Sequence, residues 1–432
     1  MFFRKICICA VLILTAIASY AQQTLDNVVD DDSIIVDSVA VDSLQADSLD
    51  LPWPQSLQAK LQRLIGSDIT RTSQLGLMVY DLDADSALFC HNEQQTMRPA
   101  STMKVITAIA ALDKLGGSYQ FKTDLCYTGE IKGRVLHGDI YCVGGFDPKF
   151  NTDDLNAFVE GIKRMDIDTI MGNIYADKSM KDTATLGKGW CWDDDNPCLS
   201  PLLISRKDRF VSRFAQKLVD SGVKIIDADS VDCAYKFIKG LGNFVRQRPQ
   251  GTYSIVSRFH TIEQIMMKML KESDNLYAES MFYQLAASTG NRPATASNAK
   301  AVINRLISKI GLNPKRYNIA DGSGLSLYNY VTPQLEVMML RYAYRNENIY
   351  PHLLHALPMA GLDGTLKSRM KHTDAFENVS AKTGTVMCVS SLAGYCTAYN
   401  GHHLCFSIIN QGVIHSANAR NFQDRVCNAM CQ

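Results

Sequence analysis

An excess of charge of either sign is missing from this sequence, because its 44 basic and 44 acidic residues give a net charge of zero. A neutral chain exerts no long-range attraction on a polyanion, so the composition gives no support to a nucleic-acid partner. Long apolar runs are also missing after the N-terminal segment, and none approaches the ~20 residues that span a bilayer. We therefore expect no membrane span in the mature chain.

Cysteine pairs at metal-binding or redox spacing are absent too, since none of the 13 cysteines forms a Cys-x-x-Cys pair. Cys7 and Cys9 lie in the N-terminal apolar run, which leaves eleven in the rest of the chain, an odd number. They are scattered through a chain long enough to build its own core, which argues against a disulfide scaffold. Cys191 and Cys198 could bridge across a loop, but we predict that most cysteines are buried as small hydrophobic residues.

Histidine clusters with a complete ligand set are not apparent either. His352 and His355 are at helical spacing, and His402 and His403 are adjacent, but neither pair has an obvious third ligand nearby in the sequence. We predict structural or surface roles for all four. The sequence therefore predicts no metal site and no cofactor.

The N-terminus has the three parts of a secretory signal. "MFFRK" is followed by the apolar run "ICICAVLILTAIA" and then "SYA", with the small residues Ser19 and Ala21 before Gln22. Signal peptidase recognises small residues at these two positions. We predict a cleaved signal peptide over residues 1–21 and a periplasmic or extracytoplasmic protein.

An acidic leader follows over residues 22–50. Asp-Ser recurs every five residues at Asp32, Asp37, Asp42 and Asp47, and this period fits neither a helix nor a strand. Like charges repel along the segment, so we predict a disordered leader. An alternative is that its Ile and Val residues pair with another segment as an added strand.

The mature chain shows an α/β pattern that is interrupted in the middle. "PQSLQAKLQRLIG" has helical periodicity, "QLGLMVYDLDADSALFCHN" predicts a strand hairpin, and a helical run follows Ser101. From residue 126 to residue 256 the pattern changes to short alternating runs broken by glycines. We predict a catalytic domain formed by residues 51–125 and 257–432, with a mostly β inserted region of one or two subdomains between them.

After the inserted region the helical period returns, and strands follow. Five apolar residues share one face of the first helix: Ile262, Ile265, Met266, Met269 and Leu270. Further on, "SAKTGTVMCVSSLAGYCTAYNGHHLCFSIINQG" predicts three strands, the second and third joined at Asn400-Gly401. The last helix, "SANARNFQDRVCNAMCQ", is short and not basic, so packing on the sheet is favoured over a membrane surface.

Ser101 and Lys104 stand three residues apart at the start of a helix, which places them on one face. A serine hydroxyl becomes nucleophilic when a neighbouring base removes its proton, and a lysine can do so only when it is neutral. Burial or a nearby cation lowers the lysine pKa enough. The alternative is that Ser101 caps the helix and Lys104 lies on the surface.

Two further patterns favour the chemical interpretation. "ESDNLYAE" contains Ser273 and Asn275 just after an apolar helix face, where a loop can direct both side chains to one point. "SAKTGTV" opens a predicted strand with Lys382, Thr383 and Gly384, and the glycine leaves room for a ligand against the strand.

The order Ser-x-x-Lys, Ser-x-Asn and Lys-Thr-Gly resembles the three motifs of penicillin-binding proteins and serine β-lactamases. The long stretch between Ser101 and Ser273 resembles the class C low-molecular-mass group, the D-alanyl-D-alanine carboxypeptidase and endopeptidase family. Similar blocks are "GDIYCVGGFDP", "GWCWDD", "SDNLYAE", "DGSGLS" and "GLDGTL". The resemblance covers the chain from about residue 54 and implies an antiparallel sheet flanked by helices.

The resemblance also implies roles for individual residues. Ser101 would attack the carbonyl of a D-Ala-D-Ala peptide bond, and Lys104 would accept its proton. Ser273, hydrogen-bonded to the lysines, would pass a proton to the leaving amine, and Asn275 would hold the substrate amide and Lys104. Lys382 would keep Lys104 neutral and attract the terminal carboxylate of the substrate.

The rest of the motif near Lys382 is implied to bind the substrate directly. Thr383 would hydrogen-bond the carboxylate, Gly384 would leave room for the peptide, and the backbone N–H groups of Ser101 and Thr385 would form the oxyanion hole. Two positions depart from the family pattern: Leu327 replaces a basic residue, and Phe146 replaces a small one. We expect these departures to affect substrate selection more than the reaction.

The sequence therefore predicts a serine DD-peptidase that acts on peptidoglycan stem peptides as a carboxypeptidase, an endopeptidase or both. β-Lactam antibiotics would be covalent inhibitors, and a homo-oligomer is possible. A β-lactamase and a non-catalytic peptidoglycan-binding protein are the alternatives.

Overall fold

The computed structural model describes residues 51–226 and 245–432. The predicted signal peptide over residues 1–21 and the acidic leader over residues 22–50 lie outside the described residues, so both stay predictions. No helix of the described part is long and apolar enough to cross a membrane.

The first described segments match the expected helix and hairpin. Helices α1 (Gln55–Leu64) and α2 (Asp68–Thr72) precede strands β1 (Gln74–Asp81) and β2 (Ser86–His91), which pair antiparallel with a bulge between Val79 and Tyr80. Helix α3 (Met103–Leu115) follows and is buried along its first ten residues. The prediction of a helix after Ser101 is therefore confirmed.

The described part of the inserted region contains two small mixed sheets. In chain order the strands are β3 (Gln120–Tyr127), β4 (Glu130–Lys132), β5 (Val135–His137), β6 (Ile140–Val143), β7 (Thr169–Met171), β8 (Ile174–Asp177), β9 (Lys224–Ile226) and β10 (Tyr253–Thr261). One sheet has the order β10-β3-β6-β8 and the other the order β4-β5-β7-β9. The chain enters along β3 and returns along β10, and these two strands pair antiparallel.

Within its described residues, the inserted region also has two helices that were not foreseen from the sequence. They are α4 (Thr152–Arg164), which begins at a capping box formed by Asn151 and Asp154, and α5 (Phe210–Asp220). Their apolar faces pack on the small sheets, and Phe158, Phe210 and Phe214 form part of a hydrophobic core that is separate from the main one. The inserted region therefore has its own core, while its predicted limits at residues 126 and 256 fall inside β3 and β10.

The helices after the inserted region pack on the main sheet or on one another. They are α6 (Ile262–Lys271), α7 (Asn275–Ala287), α8 (Ala296–Lys309), α9 (Pro333–Tyr344), α10 (Tyr350–Ala356) and α11 (Ser416–Cys431). The five apolar residues predicted to share a face of α6 are all buried. In α11, Phe422, Val426 and Met430 are buried as well, which fits the prediction that this helix packs on the sheet.

The main sheet is antiparallel throughout and carries the last three strands of the chain. These are β11 (Ser380–Val386), β12 (Val389–Thr397) and β13 (His403–Gln411), and the sheet order is β11-β12-β13-β1-β2. Strand β11 therefore forms an edge of the sheet. The fold is the predicted one, an α/β domain with an antiparallel sheet flanked by helices and an inserted region after α3.

Candidate active site

Ser101 lies in a short 3-10 helix, Ala100–Thr102, that leads directly into α3. Ala100, the residue before it, has a φ of 49°, a left-handed conformation that an alanine rarely adopts. The turn is held by Pro99, whose carbonyl oxygen accepts hydrogen bonds from Thr102 Oγ1 at 2.7 Å and from Ser391 Oγ at 2.5 Å. Such strained backbone persists where the surrounding structure enforces it, and here it leaves Ser101 half-buried next to the sheet.

Lys104 is completely buried and donates three hydrogen bonds. Its Nζ lies 2.8 Å from Ser101 Oγ, 2.7 Å from Asn275 Oδ1 and 2.8 Å from the carbonyl oxygen of Ser323. The alternative of a surface lysine is therefore wrong, because this side chain has no access to solvent. The resemblance implied that Ser273 is hydrogen-bonded to both lysines. In the structure Lys104 contacts Asn275, and Ser273 contacts Lys382.

The pKa of Lys104 results from two opposing influences. Burial lowers the pKa of Lys104 from 10.5 to about 8, while the charges of Asp321, Glu279 and Asp274 act in the other direction. Removing an ammonium group from water disfavours its charged form, and nearby carboxylates favour it. The amine can therefore be neutral within an ordinary pH range, as a general base requires.

Glu279 on α7 is a residue near Lys104 that the sequence analysis missed. Its side chain is 1% exposed, and its Oε1 accepts the backbone N–H groups of Gly322 at 3.1 Å and Ser323 at 2.8 Å. Burial and the charge of Asp321 raise the pKa of Glu279 to about 8. Glu279 thus fixes the loop whose Ser323 carbonyl oxygen binds Lys104, and its ionisation is coupled to that of the lysine.

Asp321 organises the same loop from the other side. Its two carboxylate oxygens accept the N–H groups of Gly324 at 2.8 Å and Ser326 at 2.6 Å, the Asn329 amide at 2.6 Å and Trp190 Nε1 at 2.8 Å. Trp190 belongs to the inserted region, in the block "GWCWDD". The inserted region therefore helps to fix the loop that holds Lys104.

Ser273 and Lys382 form the second half of the site. Lys382 on β11 is completely buried, and its Nζ donates to Ser273 Oγ at 2.9 Å and to the carbonyl oxygen of Thr383 at 2.7 Å. Ser273 lies between α6 and α7 with a φ of 61°, again in the left-handed region. Burial and the positive charge of Lys104 lower the pKa of Lys382 well below its usual range.

The remaining residues of the Lys-Thr-Gly motif line the free edge of the sheet. Thr383 Oγ1 donates a hydrogen bond to Thr365 Oγ1 at 2.7 Å, and Thr385 is exposed. A methyl group on Gly384 would lie 2.8 Å from the backbone nitrogen of Ser101, so any larger residue would displace the serine turn. An edge strand can pair with an extended peptide, which gives a linear substrate a place to bind.

The two positions that depart from the family pattern have different surroundings. Leu327 carries no charge, and its carbonyl oxygen accepts from Arg98 Nε at 3.2 Å. Phe146 is 1% exposed and packs against Tyr283, with 5.8 Å between the ring centroids. Phe146 is therefore a core residue, contrary to the expectation that it selects substrates.

One group of side chains outside this site has metal-ligand geometry among the described residues: Asp81, Asp83 and His402. Asp81 is already engaged, because its Oδ1 accepts the N–H groups of Asp83 and Ala84 and its Oδ2 lies 2.7 Å from His402 Nδ1. These contacts close the turn after β1. The described cysteines are all free thiols, so the possible bridge between Cys191 and Cys198 is not formed.

The chain matches the D-Ala-D-Ala carboxypeptidase 3 (S13) family over residues 57–206 and 246–430. It is 26% identical over 415 residues to D-alanyl-D-alanine carboxypeptidase DacB of Haemophilus influenzae, covering 79% of this chain and 86% of the relative. It is also 26% identical over 421 residues to the D-alanyl-D-alanine carboxypeptidase of Actinomadura sp. strain R39, covering 78% and 77% of the two chains.

Solved structures show the same fold. Penicillin-binding protein 4 (dacB) of Haemophilus influenzae superposes with a TM-score of 0.74 at 22% identity, covering 86% of this chain and 99% of that one. Bd3459, a predatory peptidoglycan endopeptidase of Bdellovibrio bacteriovorus, gives a TM-score of 0.52 at 16% identity over 83% and 93% of the two chains. Since the family match spans most of the sequence, this chain belongs to the D-Ala-D-Ala carboxypeptidase 3 (S13) family.

Proposed function

We propose that this protein is a serine DD-peptidase that hydrolyses D-Ala-D-Ala peptide bonds of peptidoglycan stem peptides through an acyl-enzyme. The observation that carries this proposal is the buried amine of Lys104, 2.8 Å from Ser101 Oγ. A serine next to an amine whose pKa burial has lowered is an activated nucleophile. Membership of the carboxypeptidase family supports the substrate class.

In the first step, Ser101 Oγ attacks the carbonyl carbon of the penultimate D-alanine while Lys104 takes the hydroxyl proton. The backbone N–H groups of Ser101 and Thr385 receive the negative charge that develops on the carbonyl oxygen. Each such donor contributes roughly 3 to 4 kcal/mol to transition-state stabilisation in comparable acyl transfers. The tetrahedral intermediate then collapses with loss of the C–N bond.

The leaving amine takes its proton from Ser273 Oγ, which regains one from Lys382 Nζ at 2.9 Å. Asn275 holds Lys104 through its Oδ1 at 2.7 Å and offers its amide N–H group to the substrate. Thr383 and the positive charge of Lys382 bind the terminal carboxylate of the substrate. Lys104 then loses its proton to solvent and Lys382 regains one, which restores a neutral base. Lys104 takes a proton from the water that attacks the acyl-enzyme and returns it to Ser101 Oγ as the ester bond breaks.

The setting of this reaction follows from its substrate. D-Ala-D-Ala bonds of peptidoglycan occur outside the cytoplasmic membrane, and the predicted signal peptide over residues 1–21 would deliver the chain there. A β-lactam resembles the scissile bond, and the structures of penicillin-binding protein 4 include a complex with a β-lactam. We therefore propose that β-lactams acylate Ser101.

A fluorescent penicillin tests the nucleophile. We expect the wild-type protein and Ser212→Ala, which changes an exposed serine on α5, to be labelled equally, and Ser101→Ala to show no label. Labelling of a folded Ser101→Ala protein would show that another residue is acylated. Release of D-alanine from a pentapeptide by the wild type, and none by Ser101→Ala, completes the test of the reaction.

Two further assays separate the remaining activities. Digestion of purified monomeric and cross-linked muropeptides, followed by mass analysis, distinguishes loss of one D-alanine from cleavage of dimers. Nitrocefin distinguishes a β-lactamase, which turns over many times, from a DD-peptidase, which reacts about once per protein molecule. A folded wild-type protein that never releases D-alanine would favour a non-catalytic binding protein.

A further inference from the structure

A tight turn of the inserted region carries Arg206 into the active site. Ile204 and Lys207 exchange two backbone hydrogen bonds, each of 3.0 Å, around the two central residues. Ser205 and Arg206 have φ values of 48° and 65°, which is the conformation of a type I′ hairpin turn. Asn and Gly normally occupy such positions, so this Ser-Arg turn is strained and must be enforced by its surroundings.

The base of the turn is firmly attached to the inserted region. Ile204 is 6% exposed and lies in the core of the inserted region, and Phe210, which opens α5, is 2% exposed. Between them, Asp208 pairs with Lys178, with an oxygen–nitrogen distance of 2.6 Å. A strained turn on a rigid base holds the direction of its side chains.

The tip of the turn contacts the residue between Ser273 and Asn275. Arg206 Nη1 lies 2.6 Å from Asp274 Oδ2, and the two side chains are 49% and 10% exposed. Asp274 uses its other oxygen to cap α7, accepting the N–H groups of Leu276 at 2.9 Å and Tyr277 at 3.4 Å. Asp274 is therefore fixed at both ends, by its helix and by the inserted region.

Asp274 also affects the charge of the base. Its carboxylate favours the protonated form of Lys104, which is the inactive form of a general base. A guanidinium group at 2.6 Å offsets that carboxylate. The Arg206 contact therefore acts on the two quantities that matter for acylation, the position of Ser273 and Asn275 and the proton affinity of Lys104.

Other charged groups besides Arg206 also act on Lys104 and on the start of α7. Lys104 faces Glu279 on α7 and Asp321 in the loop before α9, and it repels Lys382 on β11. Tyr277 feels the charges of Asp274, of Asp147 in the loop after β6, of Arg206 and of Glu272 at the end of α6. Among these groups, Arg206 is the cation in contact with Asp274.

We propose that Arg206 is a positioning residue of the DD-peptidase site, through which the inserted region fixes Asp274 and offsets its charge on Lys104. This proposal rests on the proposed function, because it assigns Lys104 the role of base. It gives the inserted region a part in the reaction.

The test compares four variants by the rate constant of acylation with a fluorescent penicillin, measured from about pH 6 to about pH 10. Arg206→Gln removes the charge, Arg206→Lys retains it, and Arg206→Gly removes it while relieving the backbone strain. Ser205→Gly is the matched control, because it relieves strain at the neighbouring position and leaves the guanidinium in place. Thermal unfolding of each variant is measured in parallel.

The acid limb is the low-pH part of the pH profile of the acylation rate constant, where the rate rises with pH. We expect this limb to move to higher pH by about half a unit in Arg206→Gln and Arg206→Gly, because a Coulomb interaction at a half-exposed site is screened by solvent and salt. Below the limb, half a unit is about a threefold loss of rate. Arg206→Lys and Ser205→Gly keep the wild-type profile.

Wild-type pH profiles in folded Arg206→Gln and Arg206→Gly would overturn the proposal, even if their melting temperatures fell, because a merely structural contact changes stability alone. If penicillin does not label the wild-type protein, the proposed function itself is contradicted. The two failures are therefore distinguishable.

Discussion

The active site has a helix side and a strand side, and each contributes one completely buried lysine. On the helix side, Lys104 lies among three carboxylates, those of Asp321, Glu279 and Asp274, that favour its charged form. On the strand side, Lys382 has neutral partners in Ser273 and the Thr383 carbonyl oxygen. Burial lowers the pKa of both lysines, but only Lys104 has acids that partly restore it.

This difference shows how two identical side chains acquire different tasks. The acids keep the pKa of Lys104 near 8, close enough to neutrality for it to gain and lose a proton during each turnover. The hydrogen-bond partners of Lys382 carry no negative charge, so the carboxylate of a bound substrate can become its counter-ion. The substrate therefore supplies the counter-ion on the strand side that the protein supplies on the helix side.

The largest effect is expected when the amine of each lysine is removed and the two variants are compared. Lys104→Met should lower the rate constant of acylation roughly a thousandfold, the typical contribution of a general base. Lys382→Met should lower it about tenfold to a hundredfold, because it removes charge-assisted hydrogen bonds rather than the base. Stopped-flow labelling with a fluorescent penicillin measures both.

Lys163→Met, at a lysine on α4 that is 47% exposed, is the control and should retain the wild-type rate. Equal losses in Lys104→Met and Lys382→Met would contradict the division of tasks.

A smaller effect is expected from the acids on the helix side. Glu279→Gln removes a group whose charge raises the pKa of Lys104, but the Glu279 pKa of about 8 leaves that group only partly ionised there, so the acid limb of acylation should move to lower pH by at most about half a unit. Gln retains an oxygen that can accept the N–H groups of Gly322 and Ser323. The pH profile of acylation is the measurement, and Glu263→Gln, at an exposed residue of α6, is the control.

An upward shift in Glu279→Gln would show that the carboxylate does not act on Lys104 as described. An unchanged profile in a variant of wild-type stability would show that Glu279 only fixes the loop.

The smallest effects are expected at the hydroxyl pair on the strand side. Thr383→Val should raise KM for a D-Ala-terminated peptide about tenfold, since it removes a hydrogen bond to the carboxylate. Thr365→Val should raise it about twofold to threefold, because Thr365 orients Thr383 through their 2.7 Å hydrogen bond. Steady-state D-alanine release measures both, and kcat should change less than KM. A larger effect at Thr365 than at Thr383 would reverse their assigned order.

Periodicity and turn chemistry predicted most of the main domain from the sequence. The hairpin around Asp83, the Asn400-Gly401 turn and the buried face of α6 each depend on local patterns, and each is present. The helices of the inserted region were missed although their apolar residues have helical spacing, as Leu155, Phe158, Val159 and Ile162 do, because the short glycine-broken runs on either side were taken to represent the whole region. A capping residue such as Asn151 before Thr152 was the available signal.

The site residues were predicted by motif, but their charge states could not be. Glu279 has the sequence appearance of a solvent-exposed residue on a helix, and only the packing of the 322–323 loop against α7 shows that it is buried. Arg206 lies in the charged run "SRKDR", which is typical of a solvated loop. Its contact with Asp274 spans 68 residues of sequence, and local pattern carries no information on such a pairing.

The pH dependence of acylation in the wild-type protein tests the central claim most directly, since that claim is that a buried Lys104 must lose its proton before Ser101 reacts. We predict that the rate constant for acylation by a fluorescent penicillin rises about tenfold per pH unit and levels off near the Lys104 pKa of about 8. A rate constant that stays flat from about pH 6 to about pH 9 would contradict the account.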